Sequence, residues 1–186
     1  MTYRVTRKEI RGPVGKEPRN LASYLQANAL VPITGEPLKL LKGQKLPRNK
    51  VLLARALYDL IHRHMIYDKT GTGWGKGDAC WACLSGRGNC TDYHSLFISL
   101  ARSRSIPCKF EIGFPLPEKR GKGDIGGYHC WVKIFVKGKG WLPLDISEGD
   151  KHPKLRDYYF GNLTENRITF SSGRDLVLAP PQKGKP

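Results

Sequence analysis

The chain has 186 residues, of which 39% are hydrophobic and 26% are charged, and this is enough for one domain with its own core. Its apolar runs are much shorter than the roughly 20 residues of a membrane-spanning helix, so we expect no membrane association. The net charge of +16 comes from basic residues spread along the chain without a nucleic-acid-binding motif. We therefore expect a solvated basic surface and no specific nucleic-acid partner, with attraction to an acidic substrate or cell-wall polymer as the functional alternative.

Residues 1–48 are predicted to form an N-terminal arm and a wrapping segment. Residues 1–20 contain charge, Gly and Pro without periodicity, which is typical of an arm or edge strand followed by a loop. Asn20 can cap a short helix, whereas several Pro and Gly should keep residues 31–48 irregular on the surface. The N-terminus lacks a signal peptide, so the cytoplasm is the default expectation, although the basic ending also fits a domain of a longer secreted protein.

Residues 49–178 are predicted to be the folded core, followed by a basic Pro/Gly tail at 179–186. Apolar residues at helical spacing predict a first helix over 49–65. The segment 70–78 contains four glycines and should be a loop near a functional site.

A central helix is predicted over residues 91–103, directly after Cys90. Its apolar side chains follow helical spacing and should form one buried stripe, made of Tyr93, Leu96, Phe97, Leu100 and Ala101. Strands are predicted after it, in the segments CKFEIGF, YHCWVKIFV, GWLPLDI, NRITF and DLVLA. A mobile loop should separate the first two, over residues 115–127. A helix followed by antiparallel strands predicts an α+β fold.

Cys90 has the features of a reactive thiol. A helix N-terminus stabilises a thiolate, and Gly86 and Gly88 let a substrate approach the Cys90 backbone N–H, which could act as an oxyanion donor. A small buried cysteine is the structural alternative. The order Cys, His, Asp along the chain favours catalysis, because a nucleophile needs an oriented base.

His129 and Asp145 are the predicted partners of Cys90. His129 begins a strand after two glycines, and Asp145 lies in an otherwise apolar strand, where a lone carboxylate needs a hydrogen-bond partner. A hairpin centred on Gly138 and Lys139 would place Asp145 opposite Val132, three residues from His129. We therefore expect a bulge at the glycines of the KGKG turn.

The motifs GRGNCTDYHSLFISLARSRSIPCKFEIGF, GYHCWVKIF and GWLPLDISE resemble the transglutaminase-like superfamily of cysteine proteases and amidases, over roughly residues 50–178. The resemblance implies a papain-like core, with a Cys on the central helix packed on an antiparallel sheet and His and Asp on adjacent strands. Residue by residue, it implies a catalytic triad of Cys90, His129 and Asp145, with neither metal nor cofactor.

The resemblance is closer to microbial members than to animal crosslinking enzymes, whose β-domains and calcium sites have no counterpart here. It therefore implies hydrolysis of an amide bond in a peptide, protein or cell-wall-type substrate. Amine transfer to a glutamine donor and a non-catalytic binding scaffold are the alternatives. Peptide N-glycanases share the core but have paired CxxC motifs, whereas this chain has one, at Cys80 and Cys83.

Other residues near Cys90 have competing interpretations. His94 lies one helical turn from Cys90 and could pair with it locally, or could pack behind it. Cys80 and Cys83 could be half a zinc site, a redox pair or core residues, while Cys108 and Cys130 are predicted to be core. A second oxyanion donor could come from the indole N–H of Trp74 or Trp81, or from the amide of Asn89.

Overall fold

The structure is a computed structural model that describes residues 4–117, 119, 121, 123–181 and 183. Parts of three predicted segments lie outside the described residues: positions 1–3 of the arm, 118, 120 and 122 of the 115–127 loop, and 182 and 184–186 of the tail. The division into an arm, a core and a tail stays a prediction.

The described residues form four α-helices and eight short or medium strands. The helices are α1 (Lys50–His64), α2 (Ala79–Ser85), α3 (Cys90–Ser103) and α4 (Ile146–Lys151). The strands are β1 (Ile10–Arg11), β2 (Ile66–Tyr67), β3 (Arg87–Gly88), β4 (Cys108–Pro115), β5 (His129–Val136), β6 (Gly140–Leu144), β7 (Asn162–Leu163) and β8 (Arg167–Ser172). Short 3-10 helices lie at Leu21–Leu25, Glu36–Leu41 and Pro153–Leu155. Among these elements, no helix is both long and apolar enough to cross a membrane.

An antiparallel sheet in the order β6-β5-β4-β8 packs against α3, which confirms the predicted α+β fold. The prediction of one buried stripe on α3 is wrong, because every residue from Cys90 to Arg102 is buried. The reason is that α1, α2 and α4 cover the faces of α3 that the sheet leaves open. The parallel pair β2 and β3 joins the end of α1 to the start of α3.

The predicted irregular segment 31–48 contains a 3-10 helix and does more than wrap the surface. Val31 and Leu41 belong to the hydrophobic core, because apolar side chains from this segment pack against it. The edge strand predicted in the arm is confirmed, since β1 pairs with β7. Asn20 caps the 3-10 helix Leu21–Leu25 through its side chain, as predicted.

Two predictions about the sheet are wrong. The segment DLVLA is not a strand, because the chain turns away from β4 at Gly173, whose φ is +107°. The expected bulge at the β5–β6 turn is missing too: the described register is regular, from Val136 opposite Gly140 to Val132 opposite Leu144. The glycine turn needs no bulge, because the chain leaves the sheet after Leu144.

Candidate active site

The start of α3 is closed by a capping box that places Cys90 at the first helical position. The Asn89 side-chain oxygen accepts a hydrogen bond of 2.8 Å from the Thr91 N–H, and the Asp92 carboxylate accepts one of 2.9 Å from the Asn89 N–H. Such a reciprocal cap satisfies two N–H groups that the helix cannot bond internally. The Cys90 N–H lies in this same first turn, which makes it the backbone donor best placed for a substrate carbonyl.

The glycine loop at 70–78 is fastened to this helix start by Asp92. The Gly75 and Gly77 N–H groups donate to the Asp92 carboxylate at 2.6 and 3.0 Å. Gly77 must be glycine, because its φ is +66° and a Cβ there would lie 2.7 Å from Thr91 Cγ2. The prediction of a loop near the site is confirmed. Asp92 does more than favour the helix dipole, since it holds this loop against α3.

His129 and Asp145 form a direct buried pair. The His129 Nε2 lies 2.7 Å from Asp145 Oδ2, and Asp145 has no exposed surface. Asp145 is not inside a strand as predicted, because it follows β6 and caps α4. Its Oδ1 accepts hydrogen bonds from the Glu148 N–H and the Ser147 hydroxyl at 3.1 and 3.2 Å. Leaving the sheet lets the Asp145 side chain reach His129 without a shift in strand register.

Cys90 completes the cluster, because its thiol lies close enough to the His129 imidazole for each group to shift the pKa of the other. Since Nε2 faces Asp145, the other ring nitrogen is left for the thiol. The neighbouring Cys130 thiol, and then His129, lower the pKa of Cys90 to about 4 against the opposing effect of burial. Burial lowers the pKa of His129, but the charge of Asp145, its hydrogen bond to the ring and the interaction with Cys90 together outweigh burial and raise that pKa to about 9. Between these values the pair is a thiolate and an imidazolium.

Burial disfavours the charged form of Asp145, but the charges of His129 and Arg167 lower its pKa below the ordinary value of an aspartate. The Asp145 carboxylate is therefore ionised together with the imidazolium at neutral pH. A charged acceptor on Nε2 holds the ring in one orientation, with the other nitrogen towards Cys90.

His94 is part of the site, but its geometry does not suit a base for Cys90. It is fully buried, and its Nε2 accepts a hydrogen bond of 3.1 Å from the Ile146 N–H. Its other nitrogen lies 3.6 Å from the Cys130 sulfur. Burial lowers the pKa of His94 to about 4, so the ring is neutral near pH 7. His94 therefore joins the catalytic helix to the first turn of α4, next to Asp145.

Cys130 is buried as predicted, but it is also a neighbour of Cys90, which the sequence analysis missed. Burial, followed by the interaction with Cys90, raises the pKa of Cys130, so this thiol stays protonated beside the Cys90 thiolate. The Cys130 thiol donates to Thr91 Oγ1 at 3.8 Å. The signal available in the sequence was its position directly after His129.

The three predicted side-chain oxyanion donors have different surroundings. The Trp74 indole N–H donates to the Gly71 carbonyl at 3.2 Å, and the Asn89 side-chain amide donates to the Tyr128 hydroxyl at 3.0 Å. The Trp81 indole packs under Gly73, so close that a Cβ at Gly73 would lie 2.5 Å from its Nε1. Trp74, Trp81 and Asn89 stay our predicted side-chain donors, together with the backbone N–H of Cys90.

Tyr128 is a second residue that the sequence analysis missed. It directly precedes His129, its hydroxyl contacts Asn89 Nδ2, and it lies 3.3 Å from Thr91 Oγ1. Tyr128 is 45% exposed, whereas Cys90 is 3% exposed. An aromatic side chain therefore lies at the surface beside the buried thiol and connects β5 to the start of α3.

Cys80 and Cys83 lie on α2, outside this cluster. Cys83 is buried and its thiol donates to the Glu36 carbonyl at 3.7 Å, while Cys80 is half-buried. Within the described residues, no group of three or more His, Cys, Asp and Glu side chains is arranged to hold a metal ion. All five cysteines are free thiols.

A family model described as the transglutaminase-like superfamily matches residues 40–146, more than half of the chain. The chain belongs to the transglutaminase-like superfamily. The match confirms the resemblance identified from the motifs around Cys90, His129 and Asp145, and it includes all three residues. Membership in this superfamily supports a cysteine-dependent enzyme as the general class of the protein.

Two curated bacterial proteins are related to this transglutaminase-like chain. An uncharacterized protein of Haemophilus influenzae is 28% identical over 87% of the chain, and the uncharacterized protein ML0607 of Mycobacterium leprae is 26% identical over 86%. In each case the chain spans 53% of the relative's length. The chain thus spans about half the length of the curated relatives it matches.

Solved structures share the fold at low sequence identity. A "putative cysteine protease" from Cytophaga hutchinsonii superposes with a TM-score of 0.61 at 17% identity, covering 90% of this chain and 54% of that one. The periplasmic domain of TgpA from Pseudomonas aeruginosa, bound to ethylmercury, gives 0.52 at 19% identity and covers 74% and 51%. These similarities concern the fold alone. The chemistry of this chain depends on its own residues.

Proposed function

We propose that this transglutaminase-like domain is a cysteine peptidase or amidase that acts through Cys90, His129 and Asp145. The observation that carries the proposal is the buried contact series from the Cys90 thiol to His129 and on to Asp145, with 2.7 Å between the last two. A nucleophile next to a base that a third group orients is the arrangement that acyl transfer requires.

In the proposed reaction, the Cys90 thiolate attacks an amide carbonyl and forms a carbon–sulfur bond. The Cys90 N–H stabilises the oxyanion of the tetrahedral intermediate. The His129 imidazolium gives its proton to the amide nitrogen as the carbon–nitrogen bond breaks, which releases the amine and leaves a thioester. Neutral His129 then takes a proton from water as the water oxygen attacks the thioester. The carbon–sulfur bond breaks, which releases the carboxylic acid product and restores the Cys90 thiolate and the His129 imidazolium.

We propose a peptide, a protein or a cell-wall-type amide as the substrate, with water rather than an amine resolving the thioester. The net charge of +16 would attract acidic substrates over a Debye length. Incubation of the protein with a glutamine donor and a labelled primary amine separates the two outcomes. Both outcomes release ammonia from the glutamine donor when the thioester forms. Covalent incorporation of the amine, in place of a glutamate or a shorter peptide formed by water, would identify a transferase instead.

The direct test compares Cys90→Ala with Cys80→Ala on a library of fluorogenic peptides and amides. We expect Cys90→Ala to lose both hydrolysis, by at least ~10³-fold, and labelling by a thiol-directed suicide inhibitor. The matched control Cys80→Ala removes a thiol from the start of another helix and should retain both activities. Labelling and turnover that persist in Cys90→Ala would overturn the assignment.

A further inference from the structure

Arg167 contacts the same Asp145 oxygen that faces His129. Its Nη2 lies 3.3 Å from Asp145 Oδ2, and the Arg167 side chain is 3% exposed. Arg167 begins β8, which lies at the opposite end of the sheet from β6, the strand that leads to Asp145. The guanidinium therefore approaches the site from an element that contributes none of the three proposed catalytic groups.

A second carboxylate, that of Glu148, also lies close to His129 and to Arg167. Glu148 Oε1 lies 3.9 Å from His129 Nε2, so two carboxylates face the same ring nitrogen, at 2.7 Å for Asp145 and at 3.9 Å for Glu148. Two like charges around one proton disfavour the ionised form of both and offer the ring two acceptors. The Arg167 Nη2 lies 3.3 Å from Glu148 Oε2 as well, so one guanidinium nitrogen contacts both carboxylates.

We infer that Arg167 is a positioning residue of this site, which holds the Asp145 and Glu148 carboxylates side by side and reserves His129 Nε2 for Asp145. The inference deepens the proposed function and rests on it for its catalytic meaning. The Glu148 oxygens are further held by contacts with Lys151 and His152 on the solvent side of α4. Glu148 is thereby drawn away from the imidazole, while Asp145 stays in contact with it.

Charged and titratable groups face the His129–Asp145 pair from five surrounding elements. They are Tyr58 of α1, Cys90 and His94 of α3, Cys130 of β5, Glu148 of α4 and Arg167 of β8. Among these groups, Arg167 alone has a fixed positive charge, since a guanidinium is not deprotonated in proteins. Burial disfavours that charge, but Asp145 and Glu148 more than compensate and raise the pKa of Arg167.

The consequence concerns the pH range in which His129 is an imidazolium. Removal of the Arg167 charge removes its electrostatic repulsion of the imidazolium. It also leaves the Asp145 and Glu148 carboxylates without the neighbouring cation that screens them from the ring. Both effects stabilise the charged ring, so the pKa of His129 should rise above its value of about 9. The neutral ring, which the proposed deacylation step needs as a base, then forms only at higher pH.

The experiment follows the imidazole of His129 by NMR titration in wild type, Arg167→Met and Arg167→Lys, with His129→Gln used to assign the resonance. We expect the titration midpoint to rise by about one unit in Arg167→Met, the size of effect typical of a charge within 4–6 Å, and by less than half of that in Arg167→Lys. The control Arg55→Met removes a partly buried arginine that pairs with Asp59 on α1, and should leave the midpoint unchanged. An unchanged midpoint in folded Arg167→Met would overturn the inference.

A double variant keeps the test decisive if Arg167→Met does not fold. Arg167→Met/Glu148→Gln removes one cation and one carboxylate together, so the charge of the site is conserved. We expect its His129 midpoint to lie within about half a unit of wild type, and a rise of about one unit or more would contradict the role given to Glu148. The titration requires no turnover, so it tests the role of Arg167 separately from the proposed function. Failure of the proposed function would instead appear as hydrolysis that survives in Cys90→Ala, whatever the His129 midpoint.

Discussion

Two helices of this molecule begin in the same way and carry thiols with opposite properties. At the start of α2, Asp78 Oδ1 accepts hydrogen bonds from the Cys80 and Trp81 N–H groups at 2.9 and 3.1 Å. At the start of α3, the Asn89 side chain accepts a hydrogen bond from the Thr91 N–H, next to Cys90. Burial and then the charge of Asp78 raise the pKa of Cys80, whereas contacts with Cys130 and His129 lower the pKa of Cys90 to about 4.

The difference shows that a helix N-terminus alone does not make a thiol reactive. A charge near a helix end is stabilised by about 0.3–1 kcal/mol, which corresponds to less than one pKa unit. Cys80 and Cys90 both lie in the first turn of a capped helix, but only Cys90 has a protonated thiol and an imidazolium as neighbours. These neighbours come from β5, so the reactive site depends on how the sheet packs against α3.

The largest expected effect is on alkylation by iodoacetamide at acid pH, followed for each cysteine by mass spectrometry. At pH 5 Cys90 should be mostly thiolate, while a thiol with a pKa of ~8.5 or above is ionised to about 0.03% or less. The weaker nucleophilicity of a low-pKa thiolate offsets roughly 100-fold of this ratio, which leaves Cys90 about 30-fold faster than Cys80.

The pH dependence of the alkylation rate distinguishes Cys90 from Cys80 more clearly than the ratio of their rates at one pH. The alkylation rate of Cys90 should be flat above pH ~5 and fall only as the pH approaches the pKa of about 4, because the thiolate is then protonated. The rate of Cys80 should fall about tenfold for each unit below pH 8. Parallel profiles for the two cysteines would contradict the contrast between the two helix starts.

The next effect concerns the acidic residues at the two helix starts. Asp92 uses both carboxylate oxygens to bind the N–H groups of Asn89, Gly75 and Gly77, whereas Asp78 uses one oxygen for both of its N–H partners. At position 78, an asparagine still has one side-chain oxygen that can accept both hydrogen bonds. At position 92, an asparagine would turn an amide NH₂ group towards at least one of the three N–H partners of Asp92.

We therefore expect Asp92→Asn to lower the free energy of unfolding by about 2–3 kcal/mol, the typical cost of a lost hydrogen bond to a charged group. Asp78→Asn should cost less than ~0.5 kcal/mol, because Asn and Asp are equally good N-caps. Urea unfolding of both variants measures the difference. Equal costs would show that the glycine loop does not depend on Asp92.

The smallest effect is expected for Cys130→Ala, which removes the thiol donor but retains His129. The pKa of Cys90 should rise by about one unit, since one hydrogen bond to the thiolate is worth about 1.5 kcal/mol. The midpoint of the alkylation profile measures the shift. Cys108→Ala is the control, because Cys108 is equally buried on the adjacent strand β4. A midpoint that moves equally in both variants would assign the effect to packing.

Much of the fold around Cys90 was predictable because short-range interactions determine it. The central helix follows from side-chain spacing, and the glycine loop follows from backbone freedom. The predicted strand at DLVLA was wrong, because its alternation of residue types competes with a turn at Gly173 and with the contacts of Arg174 to Ser95 and the Gly77 carbonyl. Such contacts join segments about 80 to 100 residues apart and leave no local pattern.

The sequence by itself therefore determined that Cys90 lies at the start of a helix and that His129 starts a strand, because both depend on neighbours within a few residues. Only the tertiary structure decided that α3 is buried on all sides, that Asp145 caps α4 while it faces His129, that Cys130 lies beside Cys90 and that Arg167 contacts Asp145. These pairings depend on strand register and on the point where each strand ends, and a shift of one residue turns a side chain to the other face of the sheet.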